Sequence, residues 1–416
     1  MSIQIISVLV LVLVFGLATV LPVNMGALAL AATFFVGVLG LGLTTKQIFA
    51  GFPGDLFVTL VGVTYLFAIA QKNGAVDWLV ERAVLLVRGR LVAIPWVMFL
   101  VAALLTAFGA LGPAAVAILA PVALTFAGQH RISPVMMGLM VIHGAQAGGF
   151  SALSVYGGIV NGLVAKAGLP SAANTIFLSS FAFNLAIATA VFVVFGGPAL
   201  FARRSADGAE AEPRSRTPLN AHRAVTLAGL TALGVGALVF NLNVGLLAMV
   251  VAVGLSLLAP AAQKGAIEKV SWSTVLLICG VITYIEVMQT AGAVTQVGAA
   301  ISGLGSPLLA ALLLCFTGAI VSAFASSTAL LGAVIPLAMP FLLQGRVSAV
   351  GVIAAIAICT TIVDTSPFST NGALVVANAP EAQREKVLRQ LLIYSGVVVA
   401  IGPVIAWLVL VVPGWR

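Results

Sequence analysis

The stretch DTSPFSTNGALVVANAP, residues 364–380, could do chemistry: a carboxylate, hydroxyls, two prolines and two asparagines directly follow the apolar run VIAAIAICTTIV. Oxygens of this kind coordinate hard cations or accept protons, and a carboxylate at membrane depth costs about 2.5–3.5 kcal/mol on insertion scales, so it usually marks an ion or proton path. Asp364 is therefore the most informative residue. A surface carboxylate near a helix end is the alternative reading. A second oxygen-rich stretch, FASSTALLG at 324–332, carries Ser326, Ser327 and Thr328. Such hydroxyls can bond back to their own helix, but beside Ser366, Ser369, Thr370 and Asn371 they read as the oxygen set of a ligand.

The elements that must position these residues lie in a bilayer. The 416-residue chain is 62% hydrophobic and 7% charged, more apolar surface than a soluble core can hide, so it is read as an integral membrane protein of many helices. Its formal charge of +8 needs no nucleic acid, because basic residues in short loops serve membrane topology. The first segment lacks a basic start and is read as a retained helix. Cys279, Cys315 and Cys359 fall in apolar runs without paired spacing and read as small core residues.

Apolar runs predict helices at about 3–21, 25–43, 55–71, 92–109, 113–127, 134–147, 151–165 and 176–200, after which the pattern restarts near 223. GVTYLFAIAQKNGAV (62–76) aligns without gaps on GVITYIEVMQTAGAV (280–294), an offset of 218; the same offset pairs GGFS (148–151) with SPFS (366–369), and APVALTF pairs with IPLAMPF at 215. The expected fold is an all-α polytopic membrane protein of two inverted repeats, 1–201 and 223–416, joined by a cytoplasmic linker at 202–222. Each repeat is given five transmembrane helices, a short amphipathic segment, one re-entrant hairpin and one broken helix. A cytoplasmic linker puts fifteen basic residues inside and leaves four, Lys46, Lys166, Arg346 and Arg416, outside.

Each half carries two breaks: the hairpin tips FGALGPAA (108–115) and FASSTALLG (324–332), and the broken helices HGAQAGGFSALSVYGG (143–158) and VDTSPFSTNGAL (363–374). Irregular backbone in hydrocarbon is tolerated only inside protein or along a wet cavity, so the four are expected to meet, with helix N-termini facing an anion and unwound carbonyls a cation. None of the four holds Lys or Arg. A dianion there needs helix N-termini, hydroxyls and co-bound cations. Glu286 is read either as a proton site or as a buried structural acid, and the lone helix residue His143 more readily as a hydrogen-bonded core histidine than as a ligand. H-E-x-x-H, G-x-S-x-G and GxxxxGK[ST] patterns are absent, so an enzyme is not expected.

These stretches, above all SPFSTNGALVVANAP, resemble the malonate/dicarboxylate carriers (MatC-like) within the divalent-anion:sodium symporters, over nearly the whole chain. The resemblance implies a Ser-Asn-Thr signature at each hairpin tip and two sodium ions beside a substrate carboxylate. SST at 326–328 keeps the hydroxyls without the asparagine, and GALGP at 109–113 departs from the signature. Ser327, Thr328, Ser366 and Pro367 match the family's substrate or ion positions; Gly112, Pro113, Gly148 and Gly149 match by place alone. The expected substrate set is Gly112, Pro113, Ser151, Ser327, Thr328, Ser366, Pro367, Ser369, Thr370 and Asn371. The expected cation set is Gly109, Gly148, Gly149, Ser326, Asp364 and Thr365, taking sodium or, on the alternative, a proton. The overall expectation is a secondary transporter of a small dicarboxylate in a bacterial inner membrane, homodimeric, without cofactor or nucleic acid. A proton-coupled carrier, or an oxyanion or sodium–proton exchanger on the same architecture, is the alternative.

Overall fold

Polar caps punctuate the apolar runs. Ser2, Asn24, Asn220 and Asn243 each accept a first-turn N–H and start a helix, and Ser133 and Ser348 do so at the helices that lead into the breaks. In the computed structural model, which describes residues 2–85, 90–202, 218–240, 242–303, 305–323, 326–345 and 347–414, these caps yield a multi-pass, all-helical membrane protein with no strand among the described residues.

The first half runs α1 (Ile3–Val20), α2 (Met25–Thr33, continued by a π-helical Phe34–Gly40), α3 (Thr45–Ala50), α4 (Gly54–Lys72), α5 (Ala75–Leu85), α6 (Ala93–Ala107), α7 (Gly112–Gln129), α8 (Pro134–Gly148), α9 (Val155–Lys166) and α10 (Ala173–Val194). A short α11 (Ala199–Ala202) precedes the linker, whose residues 203–217 lie outside the described residues. The second half runs α12 (Ala221–Leu238), α13 (Val244–Leu258), α14 (Pro260–Gln263), α15 (Trp272–Thr290), α16 (Ala293–Ser302), α17 (Pro307–Ser322), α18 (Ser327–Leu342), α19 (Ala349–Ile362), α20 (Thr370–Asn378) and α21 (Arg384–Ala406).

Eight helical segments among the described residues are long and apolar enough to span a bilayer; Met25–Gly40, Val244–Leu258 and the arms Ala93–Ala107, Pro307–Ser322 and Ser327–Leu342 are shorter. The expected helix at 25–43 changes to π geometry at Phe34, and that at 151–165 starts only at Val155.

The helices exchange partners between the halves. α2 packs on α15 as α13 packs on α4. A Cβ on Gly280 would lie 2.2 Å from the Gly26 carbonyl, and one on Gly62 2.5 Å from that of Gly245, so both crossings need backbone against backbone. This accounts for the aligned Gly62 and Gly280. At one end Arg223 donates to the Asn73 carbonyl and Lys72 stands by Gly265; elsewhere Lys166 pairs with Glu286 at 2.5 Å.

Candidate functional site

The two broken helices are built by the same hydrogen bonds. Ser154 caps α9: its Oγ accepts from Gly157 N at 3.0 Å and its proton faces the carbonyls of Gly149 and Ser151 at 2.5 and 2.7 Å. Ser369 caps α20 likewise, accepting from Gly372 N at 3.2 Å and facing the carbonyls of Asp364 and Ser366 at 2.5 and 2.7 Å. Ser151 and Ser366 each accept from the N–H two residues on, of Leu153 and Phe368. Position for position, Gly149 thus answers to Asp364, Ser151 to Ser366, Ser154 to Ser369 and Tyr156 to Asn371. Pairing GGFS with SPFS misses this register by three residues, because it follows a shared Phe-Ser dipeptide, whereas the caps follow the backbone.

The hairpin tips come to these breaks crosswise. The first turns at Gly109, whose φ of +102° only glycine adopts readily, and Ser151 Oγ donates to the Ala107 carbonyl at 2.5 Å, tying the tip to the first broken helix. α7 then packs on α20, and α18 on α9. In the second hairpin, Ser327 Oγ donates to Asp364 Oδ1 at 2.5 Å, so the 2.8 Å contact between Ser322 and Ser327 is donated by Ser322. The result is a hydroxyl chain ending on a carboxylate.

Between them lies a cavity of about 460 Å3. Pro113, Ser326, Ser327, Thr328, Asp364, Ser369, Thr370 and Asn371 line it, and it runs past Asn24 to the exposed Val23 and Ser273. Among the described residues, Asp364 is the one charged residue that lines the cavity, itself 9% exposed, and no Lys or Arg lines it. Asn371 is 3% exposed and its Oδ1 has no protein partner. Ser326 starts α18 without a side-chain cap, leaving first-turn N–H groups of that helix for another acceptor.

The other expected residues stand behind this surface. Gly109, Gly112, Gly148, Gly149, Ser151, Thr365, Ser366 and Pro367 do not line the cavity. Gly148 packs on the Ala103 carbonyl, which a Cβ would approach to 1.9 Å; Gly112 sits beside the Asn371 amide; Thr365 bonds back to Ile362. The hydroxyls of Ser151, Ser366 and Ser369 are committed to backbone groups, so Ser369 borders the cavity as a cap. Phe324 and Ala325 of the second tip lie outside the described residues.

His143 is fully buried, with Nδ1 2.9 Å from Asn184 Oδ1 and Nε2 2.6 Å from the Tyr394 hydroxyl. It is a satisfied core histidine. Glu286 is neither a buried acid nor near the cavity: it is part-exposed and paired with Lys166, because it lies toward the far end of α15. Sequence reasoning missed Tyr156, Phe368, Ser322 and the Asn24–Ser273 rim, where Asn24 Nδ2 donates to the Ser273 carbonyl at 3.0 Å. Tyr156 and Phe368 carried no signal distinct from core aromatics.

With this geometry, residues 1–149 match the family model described as the N-terminus of the dicarboxylate carrier protein MatC. The resemblance to the dicarboxylate carriers is thereby shown over that stretch. No curated protein matches the sequence. The solved structure of the Alcanivorax borkumensis YdaH transporter, reported to have an unusual topology, is similar with a TM-score of 0.62 at 15% identity, over 89% of this chain and 88% of that one. The chain shares the fold of that structure.

Proposed function

We propose that this protein is a secondary active transporter of small dicarboxylates, working by alternating access with a co-bound cation. The observation that carries the reading is the cavity itself: among the described residues, one carboxylate, several hydroxyls, an uncapped helix N-terminus and no basic side chain, where two broken helices meet two hairpins. An anion is received there by the first turn of α18 and by Thr328, Thr370 and Asn371. Because Asp364 repels a dianion and no Lys or Arg offsets it, a cation must bind with the substrate. The donor set of Asp364, Ser327 and Ser322 is all oxygen, which fits sodium. Sodium would supply positive charge between Asp364 and the substrate. A proton on Asp364 would serve the same purpose, and this is the second reading.

The repeated caps and exchanged helix partners support two repeats, 1–201 and 223–416, inverted about the site. With the basic residues Lys72, Arg223 and Lys269 on the cytoplasmic side, the rim at Asn24 and Ser273 opens inward. A homodimer in a bacterial inner membrane, with malonate or a C4 dicarboxylate as cargo, belongs to the same proposal.

The test is thermal unfolding of the purified protein in detergent with mono-, di- and tricarboxylates, with and without sodium. Dicarboxylates should raise the melting temperature, and more so with sodium, because a ligand of the native state stabilises it. No shift with any dicarboxylate would sink the reading.

A further inference from the structure

The register set by the caps makes the two halves comparable residue by residue, and they differ where it matters. α7 and α18 start at equivalent residues, Gly112 and Ser327, and each carries a proline ten residues in, Pro121 and Pro336. On that register Ser322 answers to Ala107, Ser327 to Gly112 and Asp364 to Gly149. Every side-chain oxygen of the carboxylate cluster is missing from the first half. The carbonyls of Ala107 and Gly149 there accept from Ser151 and Ser154.

Beside Gly149, the counterpart of Asp364, the vacated space is occupied by Tyr156. Its Cδ2 lies 3.2 Å from where a Cβ on Gly149 would be, its ring packs on Phe150 with centroids 5.6 Å apart, and it stands close to Asp364 and Thr328. We infer that the site takes a single coupling cation per chain, held by Ser322, Ser327 and Asp364, and that the Tyr156 ring excludes a second one from the equivalent place in the first half. This rests on the transport reading above and fixes its ion count. The ring does the excluding, and the hydroxyl is not a ligand.

Equilibrium binding of radioactive sodium to the full-length protein in detergent reads the ion count without transport. One saturable sodium per chain is expected, lost in Asp364→Asn, weakened at least tenfold in Ser327→Ala, and unchanged in Glu286→Gln, which lies away from the cavity. Folding of each variant is checked by its melting transition; should Asp364→Asn not fold, Ser327→Ala carries the assignment. Two sodium ions per chain, none at all, or loss of binding in Glu286→Gln each overturn the inference. If no sodium binds but a dicarboxylate still raises the melting temperature, the ion position is wrong while the dicarboxylate reading stands.

Discussion

Gln146 Nε2 donates to the Thr361 carbonyl at 2.8 Å, and these two residues occupy the same place in the two halves of the molecule, 215 apart. α8 and α19 therefore meet one helical turn short of both breaks. Gln146→Leu removes the donor to a carbonyl in the last turn of α19, a loss of about 1–3 kcal/mol, partly offset because the unpartnered Gln146 Oε1 goes too. Its melting temperature should fall; an unchanged transition would show that the contact contributes nothing.

Ser154→Ala and Ser369→Ala remove equivalent caps and should each cost about 0.5–2 kcal/mol of stability. Apparent affinity for dicarboxylate in Ser369→Ala should change far less than its melting temperature. A variant with normal stability and a tenfold weaker affinity would instead place the Ser369 hydroxyl on the substrate.

Asp364→Asn keeps the shape of the cavity while removing the one charged group that lines it among the described residues. Sodium-dependent uptake into proteoliposomes at fixed pH should lose its sodium response. A proton-coupled carrier would show the opposite: wild-type uptake tracking pH and indifferent to sodium, with the pH response lost in the variant. Both dependences surviving in Asp364→Asn would make the carboxylate structural.

A cysteine at Lys269 should react with an impermeant thiol reagent only from the cytoplasmic side, and one at Ala167, next to Lys166, only from outside. Labelling of both from one face would contradict the inverted arrangement.

Much of this was legible in the sequence, and what was not has physical reasons. Gly62 and Gly280 aligned because backbone contact between helices leaves no alternative residue. The breaks were visible because membrane helices rarely put hydroxyls, proline and a carboxylate together. The local register failed because the equivalence of Ser154 and Ser369 lies in which carbonyls they face, and several sequence offsets satisfy a Phe-Ser match equally well. Tyr156 stayed hidden because an aromatic on an apolar helix is indistinguishable from core until its neighbour, Gly149, is seen to have no side chain.

The Lys166–Glu286 pair stands roughly 15 Å along α9 from Tyr156, away from the cavity, and joins a helix of the first broken pair to α15 of the other half. Both side chains are reached by water, 47% and 29% exposed, so their attraction is screened by dissolved salt. A rearrangement that separates α9 from α15 on this face parts them. On the transport reading proposed above, external ionic strength then becomes a control on the cycle, independent of which ion is carried. In dilute medium the empty carrier should rest longer with this face shut, and choline chloride added outside should speed its return in wild type and leave Glu286→Gln unaffected.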